Sequence, residues 1–258
     1  MGAVRVGVVS THRPTEEDPG EAWLPGRYRG GAELSDAEYL AACPEGVSWV
    51  YIGPGEAHMV DRVLVTSLEG IGEAEADLLA EHEPVVFLHH ATQPEPWKAH
   101  LIGRARRLML HTPAHEARTI RWCEPREVVH VLSALDESEL YPAEERDGFA
   151  LAASRNHPLK GLKNARAWAA INDYPIVVMT RERRSTVIEY MRRAEVFVHL
   201  PLEFESECRS VIEAVLCGCR VVTNDRVGVT SIDGWDEPDE LRARVKAAPS
   251  IYWDAVCR

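Results

Sequence analysis

The sequence predicts an α/β fold made of two Rossmann-like domains that face each other across a cleft, with a shorter C-terminal domain. Short apolar segments rich in β-branched residues alternate with stretches of helical period, which is typical of parallel sheets covered by helices. The series runs twice, on either side of a polar, acidic stretch at 143–148. We therefore expect an N-terminal domain at residues 1–145 and a C-terminal domain at residues 146–258.

In the first series, six segments predict strands and four predict helices. The strands are expected at Val4–Val9, Val47–Ile52, Arg62–Thr66, Val85–Leu88, Leu108–His111 and Val128–Leu132. The helices are expected at Ala32–Ala42, Glu73–Glu83, Trp97–Arg106 and Ala114–Trp122.

The second series predicts four strands and four helices. The strands are expected at Phe149–Ala153, Ile176–Met179, Val196–Leu200 and Arg220–Thr223. The helices are expected at Leu162–Asn172, Ser185–Arg193, Cys208–Leu216 and Pro238–Ala247. Because open parallel sheets bind ligands at the carboxyl ends of their strands, we expect the active site between the two halves.

Composition and charge exclude several classes of protein. The chain has 258 residues, of which 45% are hydrophobic and 27% charged, so disorder and fibrous repeats are excluded. It contains no run of eighteen apolar residues and begins with no basic and apolar leader, which predicts a cytoplasmic protein without a membrane span. A net charge of -12 argues against non-specific adhesion to nucleic acid or anionic membranes as the main function.

Six cysteines are scattered along the chain without the spacing of a zinc site, so we expect reduced thiols. Cys217 and Cys219 lie where an apolar helix is followed by an apolar strand, which favours buried small residues over metal ligands. The cluster Asp233, Asp236 and Asp239 lies in a polar turn, and a solvated face or helix cap is the favoured interpretation. We therefore expect no metal site.

A long segment at Thr11–Arg29, rich in proline, glycine and charge, follows the first strand. Loops of this length are usually functional or mobile, so the segment is expected to fold over a ligand, and a solvent-exposed excursion is the alternative.

The region Val196–Asp225 carries the most informative pattern. A buried strand ends at Pro201, a loop with three glutamates follows, and a helix is predicted to begin near Cys208. Inside this helix Glu213 interrupts an apolar run. A carboxylate is costly there unless it faces a cleft and has hydroxyl or cationic partners, and the two hydroxyls of a ribose are suitable partners.

Seven residues separate Glu205 from Glu213, and the segments AEVFVHLP and AVLCGCRVVTND flank the pair. In this layout the sequence resembles the retaining, family-4-type glycosyltransferases of the GT-B fold, as a short member. The resemblance implies a nucleoside diphosphate sugar, UDP- or GDP-linked, as co-substrate, with no other cofactor. It implies that Glu205 binds the sugar hydroxyls and Glu213 the ribose.

Arg155 and Lys160 lie five positions apart, between the first strand of the second series and a helix. Two fixed cations beside a helix N-terminus suit a diphosphate, and a solvated basic turn is the alternative. The family has an Arg-x4-Lys-Gly segment here, so the resemblance assigns both residues to the diphosphate.

The loop that opens the predicted helix departs from the family pattern. The family has Gly-Phe-Gly after the first glutamate, whereas this chain has Ser206, Glu207 and Cys208. We still expect Glu207, Cys208 and Arg209 to contact the donor. At 258 residues the chain is short for this fold, and helices that return to the first domain are expected to be mostly missing.

In the first half, Gly30 and Gly31 resemble the glycine pair that opens the family's first helix, where the backbone approaches donor phosphates or acceptor. His89 and His90 end a predicted strand where related enzymes often carry a polar residue beside the reacting sugar, although a structural role is equally open. The remaining histidines, His199 among them, are interpreted as core or surface groups.

The resemblance implies a hexosyltransferase-type glycosyltransferase that retains the anomeric configuration and needs no metal. The acceptor stays open between a glycan, a protein, a small molecule and hydroxymethylated bases of phage DNA. DNA would need a basic surface near Thr11–Arg29 and the arginines at 104, 106 and 107. Two different functions also stay open, namely a non-catalytic relative that binds a nucleotide sugar and a non-hydrolysing epimerase. The sequence indicates no oligomeric state.

Overall fold

The structure is a computed structural model of the chain, and it describes residues 3–10, 23–24, 27–28, 31–91, 93–154, 158–180 and 182–258. The chain divides into two compact units. The first comprises Met1–Ala134 together with Ala247–Arg258, and the second comprises Leu135–Lys246. The sequence-based boundary between residues 145 and 146 lies a short distance inside the second unit.

The first unit holds a parallel sheet of six strands flanked by helices. The six strands of this sheet are β1 (Val4–Val9), β4 (Val47–Tyr51), β5 (Arg62–Val65), β6 (Val85–Phe87), β7 (Arg107–Leu110) and β8 (Val128–His130). A separate antiparallel pair is formed by β2 (Trp23–Leu24) and β3 (Arg27–Tyr28). The helices of this unit are α1 (Gly31–Ala41), α2 (Glu73–Ala80), α3 (Pro96–Arg104) and α4 (Pro113–Thr119). The sheet order is β4-β1-β5-β6-β7-β8.

The second unit holds a parallel sheet of four strands in the order β10-β9-β11-β12. Its strands are β9 (Ala150–Ala153), β10 (Ile176–Met179), β11 (Val196–Val198) and β12 (Arg220–Val222). Its helices are α5 (Leu162–Ile171), α6 (Arg184–Arg193), α7 (Arg209–Leu216) and the first part of α8 (Pro238–Cys257). All strand pairs of both large sheets are parallel.

Successive side chains of a strand point to opposite faces of the sheet, and both faces are covered. The strands are therefore apolar at most positions. In β1, Val6 and Val8 join one core cluster, and Val9 joins the other. In the second unit, Ala150, Ala152 and Val196 pack with residues of α5. The predicted α/β pattern of alternating strands and helices is confirmed, with most element ends shifted by a few residues.

The last helix corrects the sequence-based expectation. The sequence predicts an end at Ala247, but α8 continues through Pro249 to Cys257. Tyr252 and Trp253 are buried in the core of the first unit, where Tyr252 stacks on Tyr39 with ring centroids 4.1 Å apart. Burial of these two large rings outweighs the hydrogen bond that proline removes. The helices that return to the first domain were expected to be mostly missing, but the end of α8 is one such segment that is present.

All six cysteines are free, as expected. Cys217 and Cys219 are buried, and burial raises the pKa of Cys217 to about 12 and that of Cys219 to about 11. These thiols are therefore inert core residues. Within the part of the chain that the structure describes, no helix is long and apolar enough to cross a bilayer. Apart from β2 and β3, the segment Thr11–Arg29 lies outside the described residues.

Candidate functional site

The loop after β11 is held by backbone hydrogen bonds to the segment that follows β12. The His199 N–H donates to the Val222 carbonyl at 2.9 Å. The Glu205 N–H donates to the Arg226 carbonyl at 2.8 Å, and the Glu205 carbonyl accepts from Gly228 N–H at 2.7 Å. These bonds fold the loop back, so His199 and Glu205 meet beyond the carboxyl end of β11.

Glu205 lies between two cationic groups. His199 Nε2 donates to its Oε1 at 2.8 Å, and Lys160 Nζ lies 3.1 Å from its Oε2. The His199 side chain is 4% exposed and that of Glu205 16%. Burial favours the neutral carboxyl group, but His199 and Lys160 overcome it and lower the pKa of Glu205 to about 2. Glu205 is therefore a carboxylate at neutral pH.

The same contacts act on His199. Burial disfavours its charged form, but Cys208 and Glu205 overcome that effect and raise the pKa of His199 to about 10. The structure therefore favours an imidazolium paired with the Glu205 carboxylate. His199 is buried and hydrogen-bonded, in agreement with its interpretation as a core group, and its partner is the predicted site residue Glu205.

Cys208 precedes α7 and adopts the left-handed backbone conformation, with φ of 74°. Glycine adopts this conformation without strain, so the departure from the family's glycine leaves the backbone shape but adds a thiol. Ligand atoms of His199, Glu205 and Cys208 all lie within 4.8 Å of one another, a grouping that could hold a metal ion. The neighbouring Glu207 is buried, and its carbonyl accepts from Val229 N–H at 3.2 Å.

Glu213 is buried on α7 and has two cationic partners. Arg184 Nε and Arg209 Nε both donate to its Oε1, at 2.9 and 3.1 Å. Arg209 lies one turn earlier on the same helix, while Arg184 begins α6. The prediction that this carboxylate needs cationic or hydroxyl partners is met by these two arginines.

Lys160 reaches Glu205 because Gly161 allows a close backbone approach. Gly161 has φ of 77°, and a Cβ at this position would overlap the Leu200 carbonyl. The Leu202 N–H donates to the Leu159 carbonyl at 2.8 Å, which fixes the turn against the loop after β11. Arg155 lies outside the described residues, so its assignment stays a prediction.

In the first unit, histidines gather at the carboxyl ends of β6 and β7. His89 Nε2 lies 2.9 Å from Asp36 Oδ1, and His89 Nδ1 lies within hydrogen-bond distance of His111 Nε2, at 3.2 Å. His111 Nδ1 donates in turn to the Val131 carbonyl at 3.1 Å. Burial lowers the pKa of His111 well below its usual value and that of His115 to about 3, so both are neutral.

The structure thus brings some predicted residues together. Lys160, Glu205 and Cys208 share one cluster with His199, and Glu213 and Arg209 share another with Arg184. His89 joins a hydrogen-bonded chain, and His90 follows it directly. Gly31 begins α1, while Gly30 lies outside the described residues.

Two partners escaped the sequence analysis. His199 could have been found because a histidine directly after a buried strand sits at the carboxyl edge of the sheet. Arg184 carried no comparable signal, because its contact with Glu213 joins two helices that are distant in sequence.

The arginines at 104, 106 and 107 lie at the amino ends of the strands of the first sheet, opposite to the ends where the histidines gather. Arg104 ends α3, and Arg107 begins β7, so both are near the amino ends of the strands. Arg107 Nε lies 2.9 Å from Glu127 Oε2, and its Nη1 donates to the Ala255 carbonyl at 3.1 Å. This basic cluster is therefore partly neutralised and does not lie beside His89.

Neither a protein-family model nor a curated protein sequence matches the chain. Solved structures match it at low sequence identity. The Anabaena protein HepE, in complex with UDP and glucose, aligns with a TM-score of 0.58 and 12% identity over 98% of this chain and 93% of HepE. AviGT4, a glycosyltransferase involved in avilamycin A biosynthesis, aligns with a TM-score of 0.61 and 15% identity over 98% and 91%.

An alpha-glucosyltransferase in complex with UDP and DNA containing an HMU base aligns with a TM-score of 0.52 and 12% identity, over 98% of this chain and 93% of that chain. HepE and AviGT4 are GT-B glycosyltransferases. The match extends over nearly the whole chain, with two parallel sheets flanked by helices. The predicted fold class, α/β with two Rossmann-like units of the GT-B type, is therefore confirmed.

Proposed function

We propose that this protein is a glycosyltransferase that moves a hexosyl group from a nucleoside diphosphate sugar to an acceptor hydroxyl. The observation that carries the proposal is the Lys160–Glu205–His199 cluster beside the start of α7. Further along that helix, Glu213 is held by Arg209 of α7 and Arg184 of α6. The complexes of HepE with UDP and with UDP-glucose support a UDP-linked donor over a GDP-linked one.

In this proposal the diphosphate binds near Lys160, Arg155 and the N-terminus of α7. Negative charge grows on the diphosphate as the bond from its oxygen to the anomeric carbon breaks. Fixed cations and backbone N–H groups placed where that charge develops lower the barrier, and such stabilisation is commonly the largest catalytic effect. Because these groups match the charge of a diphosphate, we assign the role to them rather than to a metal ion.

In this proposal, the transferred sugar and the ribose are bound by different glutamates. We assign Glu205 to the sugar hydroxyls and Glu213 to the ribose. The Nε atoms of Arg184 and Arg209 hold Oε1 of Glu213, and a carboxylate has a second oxygen that can accept from a ribose hydroxyl. Glu207, Cys208 and Arg209 lie in the loop and first turn that would face the donor.

The transfer proceeds with retention in this proposal. The acceptor oxygen approaches the anomeric carbon on the face from which the diphosphate departs. The new carbon–oxygen bond forms as the old one breaks, and the acceptor proton passes to the departing phosphate oxygen. No side chain serves as a nucleophile, so the protein acts through positioning and electrostatics.

The first test is release of nucleoside diphosphate from a panel of nucleotide sugars. Lys160→Ala is expected to slow release by about 30- to 1000-fold, which corresponds to about 2 to 4 kcal/mol in the barrier. Lys163→Ala is the matched control, since Lys163 is exposed on α5. Equal rates for the two variants would contradict the role of Lys160, and no release with any donor would contradict the proposed activity.

Calorimetry with UDP tests the ribose assignment. Glu213→Gln is expected to weaken UDP binding by about tenfold, because a carboxylate accepts stronger hydrogen bonds than an amide. Glu189→Gln, an exposed site on α6, is the control. Unchanged affinity in Glu213→Gln would remove Glu213 from the donor site.

A second candidate is transfer to hydroxymethylated bases in DNA, which is favoured by the match to the alpha-glucosyltransferase in complex with DNA containing an HMU base. Incubation with UDP-glucose and paired duplexes, one with hydroxymethylated bases and one without, separates this acceptor from glycans, proteins and small molecules. Mass gain in the modified duplex alone would support it.

A further inference from the structure

We propose that His199, Glu205 and Cys208 form a Zn²⁺ site, and that Zn²⁺ bound there competes with the nucleotide sugar. The three side chains come from the end of a strand, the following loop and the residue before α7. Their ligand atoms already lie within 4.8 Å of one another.

The donor set indicates which metal would bind. An imidazole nitrogen, a thiolate sulfur and a carboxylate oxygen are the three ligand types that Zn²⁺ takes in proteins, whereas Mg²⁺ and Ca²⁺ take oxygen ligands. Three protein ligands leave a fourth tetrahedral position for water or another small ligand, as in catalytic zinc sites. The cluster therefore matches an open zinc site rather than a closed structural one.

The distances require only a small adjustment. Bond lengths of about 2.0 to 2.3 Å around a tetrahedral Zn²⁺ place the ligand atoms about 3.3 to 3.7 Å apart. His199 Nε2 and Glu205 Oε1 are 2.8 Å apart and would separate slightly as the metal replaces the proton between them. Since all three ligand atoms lie within 4.8 Å of one another, any further contraction is at most about 1 Å, which lies within the reach of rotation about the Cys208 side chain.

The backbone of this cluster is fixed before any metal arrives. His199 and Glu205 are anchored by the hydrogen bonds to Val222, Arg226 and Gly228, and the Cys208 carbonyl accepts from Val211 N–H at 3.0 Å. Lys160 holds Glu205 Oε2 and leaves Oε1 directed at His199. Outer contacts of this kind orient metal ligands. Cys208 is partly exposed, which gives a metal ion access.

The competition follows from the shared residue and rests on the proposed function. Glu205 is the group assigned to the sugar hydroxyls, and Cys208 stands at the helix start assigned to the diphosphate. A metal ion held by both would occupy the carboxylate and cover the backbone N–H groups of α7. Zn²⁺ would thus inhibit by exclusion of the donor.

The test uses the full, reduced, metal-free chain and Co²⁺ as a spectroscopic substitute for Zn²⁺. We expect a thiolate-to-cobalt charge-transfer band in the near ultraviolet that saturates at one equivalent and is abolished by Zn²⁺. Cys208→Gly is expected to lose the band without adding backbone strain, and His199→Gln to weaken Co²⁺ binding at least about tenfold. Cys43→Ser and Cys257→Ser are the controls and should keep the band, with circular dichroism as the check on folding.

Absence of the band in the wild type, or its persistence in Cys208→Gly, would overturn the metal site. UDP calorimetry with and without Zn²⁺ then separates the two proposals. If metal-free protein binds UDP but shows no cobalt band, the zinc site falls and the proposed function stands. If the band forms as expected but metal-free protein binds no UDP, the zinc site stands and both the competition and the donor assignment fall.

Discussion

The first unit has a histidine cluster (His89, His111 and His115), and the second has a charged cluster (Lys160, His199 and Glu205), called the second cluster below. Both lie just beyond parallel strands, but their electrostatics are opposite. His115 is fully buried, and burial lowers its pKa to about 3. His199 is buried to nearly the same degree, yet Cys208 and Glu205 overcome its burial and raise its pKa to about 10. Depth alone therefore does not decide the charge of a histidine, because the charge of its neighbours decides it.

The largest effect is expected when the second cluster loses its carboxylate. Glu205→Gln leaves the buried His199 without its counter-charge, and breaking a buried pair on one side costs about 4 kcal/mol. We expect urea unfolding at pH 7 to report a loss of that order. Glu203→Gln, an exposed site on the same loop, is the control and should change stability by less than about 0.5 kcal/mol. Equal losses would mean that the pair contributes nothing specific.

The second cluster also depends on a close backbone approach at Gly161. Gly161→Ala combines a left-handed φ with overlap on the Leu200 carbonyl, so we expect a loss of about 3 kcal/mol in the free energy of unfolding. Gly148→Ala is the matched control, because its φ of 65° is also left-handed but open space surrounds the new Cβ. It should lose only about 1 kcal/mol. A similar loss in both variants would show that Lys160 is not positioned by this contact.

Acid pH is expected to destabilise the protein through the buried histidines of the first unit. His115 has a folded pKa of about 3 against an ordinary value of 6.5, so below pH 6.5 the unfolded chain binds a proton that the folded chain does not. Stability therefore falls as pH decreases, by about 2 kcal/mol between pH 7 and pH 5 through this group. His111 acts in the same direction.

His115→Asn is the variant that isolates this effect. The asparagine oxygen can still accept from the His111 N–H, which donates to His115 Nδ1 in the wild type at 3.4 Å. The variant should lose about 2 kcal/mol less than the wild type over the same pH range in urea unfolding. Parallel pH profiles would show that His115 is not the neutral group described here.

Sequence predicted the fold well because its signals are local. The alternation of β-branched runs with helical periods placed β1 and β10 at their observed bounds. The end of α8 was missed because Pro249 is a local signal to stop, whereas burial of Tyr252 and Trp253 is a tertiary effect. Patterns read along the chain cannot weigh such an effect.

In the site, too, residues with a local sequence signal were predicted and residues that depend on tertiary contacts were missed. The spacing of Glu205 and Glu213 predicted a loop carboxylate and a helix carboxylate, which is where the structure has them. The partners His199 and Arg184 were missed because each contact depends on how distant segments meet. His199 reaches Glu205 only because the loop is bonded back to residues 226–228, and Arg184 reaches Glu213 from another helix.

The smallest expected effect concerns Cys208, whose thiol helps to raise the pKa of His199 and whose backbone conformation favours glycine. Cys208→Gly relieves a left-handed conformation that costs an L-residue about 1 to 2 kcal/mol but gains flexibility when unfolded, so we expect a net increase in stability of about 0.5 kcal/mol. Cys208→Ala keeps the strain and loses only the thiol. If thermal or urea unfolding shows both variants to be destabilised by more than about 1 kcal/mol, the contact between the thiol and His199 outweighs the strain, and the second cluster owes part of its stability to sulfur as well as to Glu205.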